Sequence, residues 1–198
     1  LLLTSGGITN KLIANALFDL VGKKPEDISL VFIPTASNIE VEEKDWLIND
    51  LINIQKQNFK SVYITDISAV SENIWKPQLE KSDIIFFGGG NTYHLMEWIN
   101  KSGLIKILPE LLNTKVYVGL SAGSMVTGPD LVLRLSQVIY GEDFEREHME
   151  GLNYVDFYFL PHLNSPYFNL CKEEIIREAV KSMKEKVYAL DDQSALKV

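Results

Sequence analysis

Apolar residues in this chain fall into short unbroken runs, which alternate with stretches where they recur every three or four positions. The runs at 1–5, 28–34, 61–67, 83–87, 116–118, 155–160 and 187–190 predict strands, and their continuous apolar character is that of strands covered on both faces. Between them, helical spacing appears at 9–21 (Leu12, Ile13, Ala16, Leu17, Leu20) and at 41–57 (Trp46, Leu47, Leu51, Ile54). It recurs at 73–81, where Pro77 is expected to break the helix in part, after Asn91, at 104–112 and at 165–184. Gly22 and Pro25 supply a stop for the first helix, and Asn91 is a good N-cap. The pattern is ambiguous only from 129 to 151, where 131–135 and 137–140 read as short strands and 142–150 is densely charged.

Strands alternating with amphipathic helices give an α/β class: a three-layer αβα sandwich around a mostly parallel sheet. Ligands in such sheets bind beyond the carboxyl ends of the strands. Gly88, Gly89, Gly90, Asn91, Ser121, His162, Asp191 and Asp192 all fall at those ends. No repeat, low-complexity tract or linker divides the chain, so residues 1–198 read as a single domain. The chain opens Leu-Leu-Leu without Met and stops at Ala-Leu-Lys-Val inside what reads as a strand, so both ends look incomplete and a removed leader stays open.

Gly119-Leu-Ser-Ala-Gly123 has the form G-x-S-x-G, in which a strand turns sharply into a helix and exposes a serine. Glycines on either side allow a strained turn and close approach of a neighbouring element. A helix beginning at Ala122 would direct N–H groups toward an anion forming at Ser121. The competing reading is a tight turn whose serine only caps the helix.

A serine nucleophile needs a base, and there are three histidines. His148 sits among Glu145, Arg146, Glu147 and Glu150 and reads as a surface residue. His94 lies one turn after the glycine triplet, where it either faces the site or packs beside it. His162 follows a strand between Pro161 and Pro166, which stiffen its loop, and is the preferred base. Its orienting carboxylate is Asp191 or Asp192, both just past the last expected strand, with Asp130 a weaker alternative. The Gly88–Gly90 triplet matches neither G-x-G-x-x-G nor a Walker A sequence. It is read as an oxyanion loop, with Gly89 and Gly90 acting alongside the N–H of Ala122.

Composition narrows the partners. Nineteen Lys and Arg against 27 Asp and Glu give a net charge of −8, which argues against nucleic acid or an anionic membrane surface. One cysteine, Cys171, excludes an internal disulfide and a cysteine-based zinc site, and it reads as a small packed residue in a helix. No metal-ligand spacing occurs, so neither metal nor cofactor is expected. No run reaches the ~18 apolar residues of a membrane helix and no signal peptide is visible, which makes the cytoplasm the default.

Four motifs in order, Phe87-Gly-Gly-Gly-Asn-Thr92, Val118-Gly-Leu-Ser-Ala-Gly123, Leu160-Pro-His-Leu163 and Ala189-Leu-Asp-Asp-Gln-Ser-Ala195, resemble the aspartyl dipeptidase (dipeptidase E) and cyanophycinase family of serine peptidases. The resemblance covers nearly the whole chain and implies a class I glutamine amidotransferase-like fold. It also implies Ser121 as nucleophile, His162 as base, Asp192 as third member with Asp191 beside it, and the glycine loop plus Ala122 as oxyanion donors. The substrate it implies is a small peptide, including N-terminal aspartyl dipeptides, which requires a group for an acidic side chain. Arg134 is the candidate for that group, with Asn91 a further candidate substrate contact. A monomer or a homodimer is equally compatible. Two other readings stand beside this one. An α/β-hydrolase esterase shares G-x-S-x-G but orders its acid before its histidine. An inactive amidotransferase-like binding protein would keep the fold, whereas class I amidotransferases use cysteine where Ser121 stands.

Overall fold

The computed structural model describes residues 1–131, 133–140 and 149–198, with the side chains of Leu133 and Arg134 outside that description. The expected strands become β1 (Leu2–Thr4), β2 (Ser29–Ile33), β3 (Ser61–Ile64), β4 (Ile84–Phe87), β5 (Val116–Leu120), β6 (Phe157–Leu160) and β7 (Lys186–Ala189), followed by β8 (Ala195–Lys197). Six of them form one sheet in the order β3-β2-β4-β5-β1-β8, parallel except for β8, which runs antiparallel to β1. The central strands are buried throughout, as their unbroken apolar runs require.

Alternation along those strands divides the core between two faces. Leu2, Leu30, Phe32, Phe86, Val118 and Leu120 pack on one side, with Ile13 and Leu17 of α1 (Lys11–Val21) and Ile54 of α2 (Asp45–Gln55). Leu3, Val31, Ile33, Ile85, Phe87 and Tyr117 face the other. There they meet Trp75 and Leu79 of α3 (Glu72–Lys81), Leu95 of α4 (Thr92–Lys101) and Leu104 of α5 (Leu104–Leu111). The result is the expected αβα layering.

Several elements depart from the sequence expectation. Helix α3 runs through Pro77 without interruption, because Trp75 and Leu79 on its inner face are fully buried and hold it against the sheet. The helix expected over 41–57 begins only at Asp45; Val41 is 97% exposed, so it anchors nothing. The expected strands at 131–135 and 137–140 are overturned. Residues 133–140 form α7, with Leu135 and Ile139 buried four positions apart on one helical face. His148 and most of the charged 142–150 stretch lie outside the described residues. The long helix expected over 165–184 shrinks to α8 (Glu173–Ala179), leaving Cys171 in the segment before it. There the thiol is fully buried, donates to the carbonyl of Pro161 (3.2 Å), and is pushed up to about 11 by burial.

The largest difference concerns β6 and β7. They pair with each other in a separate two-stranded parallel sheet rather than extending the main one. Leu160 joins Leu135, Ile139, Cys171 and Ile176 in a third, smaller core. No helix among the described residues is long and apolar enough to cross a membrane.

Asp50 of α2, half-buried, is a desolvation cost that the fold carries. Its carboxylate faces the turn after β1, where a Cβ on Gly7 would stand 3.9 Å from Oδ1, and no described residue pairs with it. Burial raises its pKa to about 7. Between the ordinary carboxylate value and about 7 the native state holds a proton that the unfolded chain has released, so stability falls as pH rises across that window. Asp50→Asn is expected to stabilise the protein by roughly 2 kcal/mol at pH 8 and negligibly at pH 4, a contrast that urea unfolding at the two pH values would measure. Equal effects at both pH values would refute it.

Candidate active site

Ser121 stands where β5 ends, at φ 48 and ψ −109, a left-handed conformation that costs a non-glycine residue about 1–3 kcal/mol. What holds it there is close packing around two glycines that themselves keep ordinary φ values. A Cβ on Gly119 would come within 2.6 Å of Gly123, and one on Gly123 within 2.2 Å of the Phe87 carbonyl oxygen. The glycines thus bring β4, β5 and α6 (Ala122–Met125) into contact, while the strain falls on the serine. Buried hydrogen bonds lock the turn. Tyr117 donates to the Gly123 carbonyl (2.6 Å), Ser124 Oγ to the Thr4 carbonyl (2.9 Å) and Thr4 Oγ1 to the Gly119 carbonyl (2.7 Å). The Ser121 N–H is itself used, donating to the Thr4 carbonyl (3.0 Å). Helix α6 is only four residues long, so the dipole expected behind Ser121 is small.

His162 reaches this serine from the loop after β6. Its Nε2 lies 2.9 Å from Ser121 Oγ and its Nδ1 2.6 Å from Asp192 Oδ1. Phe168 stacks on the imidazole, with centroids 4.4 Å apart and planes 15° from parallel, which fixes the ring's tilt and explains why residue 168 leaves the expected helix. The hydrogen bond from His162 is the main cause holding the Asp192 carboxyl below the usual carboxylate range, against its own desolvation. Ser5 Oγ donates to the same Oδ1 (2.9 Å), and the Ser165 hydroxyl helps hold the charge from outside hydrogen-bonding geometry. Since Asp192 can only accept, Nδ1 carries the proton and Nε2 is left to accept from Ser121.

Asp191 is turned elsewhere. Its Oδ1 accepts from the Gln193 N–H (2.9 Å) and the Ser194 hydroxyl (2.8 Å), forming a local turn. The backbone of Asp130 forms an isolated antiparallel β-bridge with that of Glu150, and its side chain lies beside the Tyr158 hydroxyl. His94 sits in the first turn of α4 with its ring edge against Trp98 and its pKa lowered by burial.

The glycine loop arches beside the serine. A Cβ on Gly89 would stand 3.4 Å from that of Ser121, and Gly90, at φ 123, lies so close to Ala36 that a Cβ would fall 2.4 Å from its carbonyl oxygen. No described residue accepts from the N–H of Gly89, Gly90 or Ala122, which leaves all three free for a ligand. Asn91 Oδ1 caps α4 by accepting from the His94 N–H (2.9 Å), so only its amide NH2 remains for a ligand. Arg134 falls in the first turn of α7, its side chain outside the described residues. Among the described residues no cluster of His, Cys, Asp or Glu could hold a metal.

Sequence reading missed Ser5 and Phe168. The signal for Ser5 was its place at the end of a strand, just before Gly6 and Gly7, but nothing local pairs it with residues more than 150 positions away. The signal for Phe168 was an aromatic two residues after Pro166, which the helical periodicity absorbed.

Comparison with known proteins gives a consistent result. The profile of peptidase family S51 matches residues 1–198. An uncharacterized peptidase from Listeria innocua is 29% identical over 164 residues, covering 79% of this chain and 74% of the relative. Another, from Pasteurella multocida, is 31% identical over 153 residues, covering 75% and 71%. Peptidase E from Shewanella sp. strain MR-4 is 33% identical over 102 residues, but these cover only 50% of this chain and 42% of that protein. Among solved structures, a protein from Listeria monocytogenes EGD-e assigned provisionally to peptidase E superposes with a TM-score of 0.76 at 27% identity, covering 98% of this chain and 91% of the other. A peptidase from an acI-B1 actinobacterium shares the fold, with a TM-score of 0.71 at 18% identity over 98% and 81% of the two chains.

Proposed function

This chain belongs to peptidase family S51, and from that premise we propose that it hydrolyses short peptides through Ser121, His162 and Asp192. The observation that carries the reading is the continuous line from Ser121 Oγ to His162 Nε2 (2.9 Å) and from Nδ1 to Asp192 (2.6 Å).

His162 Nε2 takes the hydroxyl proton as Oγ forms a bond to the scissile carbonyl carbon. The carbonyl oxygen, now an anion, is held by the N–H groups of Gly89, Gly90 and Ala122. Imidazolium, stabilised by Asp192, then gives its proton to the leaving amine as the C–N bond breaks, leaving an acyl group on Ser121. A water molecule, deprotonated by the same nitrogen, releases the acid product and restores the serine. Apart from that water, the groups used in these steps are side chains and backbone N–H groups of the chain itself.

The substrate class is small peptides, with N-terminal aspartyl dipeptides first among them and Arg134 the group proposed for the acidic side chain. A monomer or homodimer working in the cytoplasm, where the lone buried thiol of Cys171 stays reduced, completes the proposal. A fluorophosphonate probe is expected to label the protein stoichiometrically, with the adduct mapping to Ser121 by peptide mass spectrometry. Aspartyl dipeptides should compete with the labelling. Absence of labelling in the folded protein would reject the serine mechanism.

A further inference from the structure

The turn that follows β1 grips the loop carrying Asp192 at several points. The Ser5 N–H donates to the Ser194 carbonyl (3.4 Å), Thr9 Oγ1 to the Asp192 carbonyl (3.0 Å), and Asn10 Nδ2 to the Gln193 carbonyl (2.9 Å). Gly6 lies so close that a Cβ there would stand 2.7 Å from the Asp192 carbonyl oxygen. These contacts place the loop's backbone. Only Ser5 reaches the carboxylate.

Ser5 is fully buried, and its hydroxyl sits between two members of the triad. Its Oγ accepts from the backbone N–H of His162 (2.7 Å) and lies 2.9 Å from Asp192 Oδ1. The direction of the hydroxyl proton follows from its neighbours. A backbone N–H can only donate and an ionised carboxylate can only accept, so the Ser5 proton points at Asp192. The contacts close a ring: His162 N–H to Ser5 Oγ, Ser5 O–H to Asp192 Oδ1, and His162 Nδ1–H to that same oxygen. The backbone of His162 is at φ 67, a left-handed conformation unfavourable for a residue with a Cβ, and its N–H is one of the points that hold it there.

We propose that Ser5 is the positioning residue of this site, fixing the carboxylate of Asp192 and the backbone of His162 at once through one buried hydroxyl. The inference rests on the triad reading above. Ser5 touches neither the substrate nor the reacting atoms; it acts through its two partners. Its donated hydrogen bond also withdraws charge from Oδ1, which moderates the pull of Asp192 on the imidazolium. Ser5→Ala would remove both effects. It would leave the His162 N–H without an acceptor and put more charge on Oδ1.

The test compares Ser5→Ala, Ser5→Thr and Ser121→Ala in the full chain, using an aspartyl dipeptide that the parent cleaves. Ser5→Ala is expected to lower kcat by roughly 10- to 100-fold with KM within about 3-fold, as befits a group that acts on geometry in the transition state. The acid limb of its kcat/KM profile is expected to move up by roughly half a pH unit, because the more charged carboxylate favours the imidazolium. The low-field proton resonance of His162 Nδ1 should shift in parallel. Ser5→Thr, which keeps the hydroxyl, should restore most of the rate and the parent pH profile. Should Ser5→Ala not fold, Ser5→Cys takes its place with the same readouts, its thiol being a much weaker donor.

Loss of activity only in proportion to lost folded protein, with the acid limb and resonance unmoved, would assign Ser5 a purely structural role and overturn the proposal. So would a kcat within 2-fold of the parent. Ser121→Ala separates this failure from that of the triad itself: activity surviving there overturns both readings, while its loss beside a parent-like Ser5→Ala overturns only the present one.

Discussion

Peptide hydrolysis by Ser121→Ala is expected to fall by about 10⁴- to 10⁶-fold in kcat/KM, the range seen when a nucleophile that works as a unit with its base is removed. Among the described residues no other group is placed to substitute for it. Cys171 is buried, hydrogen-bonded to Pro161 and held as a thiol, and the described neighbours of His162 Nε2 include no second hydroxyl within bonding distance. The fold should survive the change. Alanine keeps the Cβ and the strained backbone, while the hydrogen bonds that lock the turn come from Tyr117, Ser124, Thr4 and the Ser121 backbone N–H. A Tm within a few degrees of the parent, combined with loss of fluorophosphonate labelling, would complete the expected result. Parent-like cleavage of dipeptides by this variant would refute the mechanism outright.

Asp192→Asn should cost about 10³- to 10⁴-fold in kcat, through the tautomer of His162. An amide presents either an oxygen or an NH2 group to Nδ1. With the NH2 group there, the imidazole proton moves to Nε2, which can then no longer accept from Ser121. The variant also loses the anion that stabilises the imidazolium. Its neighbour provides the internal control. Asp191 spends its carboxylate on Gln193 and Ser194, so Asp191→Asn should leave kcat within about 3-fold and act on the turn instead. Measuring both variants on one dipeptide, with thermal melts alongside, tests the division of labour between two adjacent and chemically identical residues. The opposite ranking would move the orienting role to Asp191.

Much of the architecture is legible in the sequence. The unbroken apolar runs became the strands, and Asn91 caps its helix as read. Misreadings arose where a local pattern had more than one physical use. Phe168 and Cys171 have helical spacing, but one stacks on His162 and the other seals the core under Pro161. Residues 133–140 carry apolar positions compatible with strand or helix, and packing against the small second sheet selects the helix. Within the candidate site, the serine, the histidine and the glycine loop could be named, whereas the residues alone left Asp191 and Asp192 open and only the family resemblance put Asp192 first. Both follow the same strand, and which of them turns toward His162 depends on a turn closed by Gln193 and Ser194.

What the sequence by itself determined was therefore the local chemistry: a strand ending in a glycine-flanked serine, a stiffened histidine after another strand, and an acidic pair after a third. Such features depend on neighbours a few positions away, where periodicity and glycine content are decisive. Only the tertiary structure decided how they meet. The loops after β6 and β7, which pair in their own small sheet, bring His162 and Asp192 to Ser121, and Ser5 ties them together across separations of 157 and 187 residues. Contacts at that range leave no periodic trace in the sequence, because a hydrogen bond needs only one hydroxyl, correctly placed.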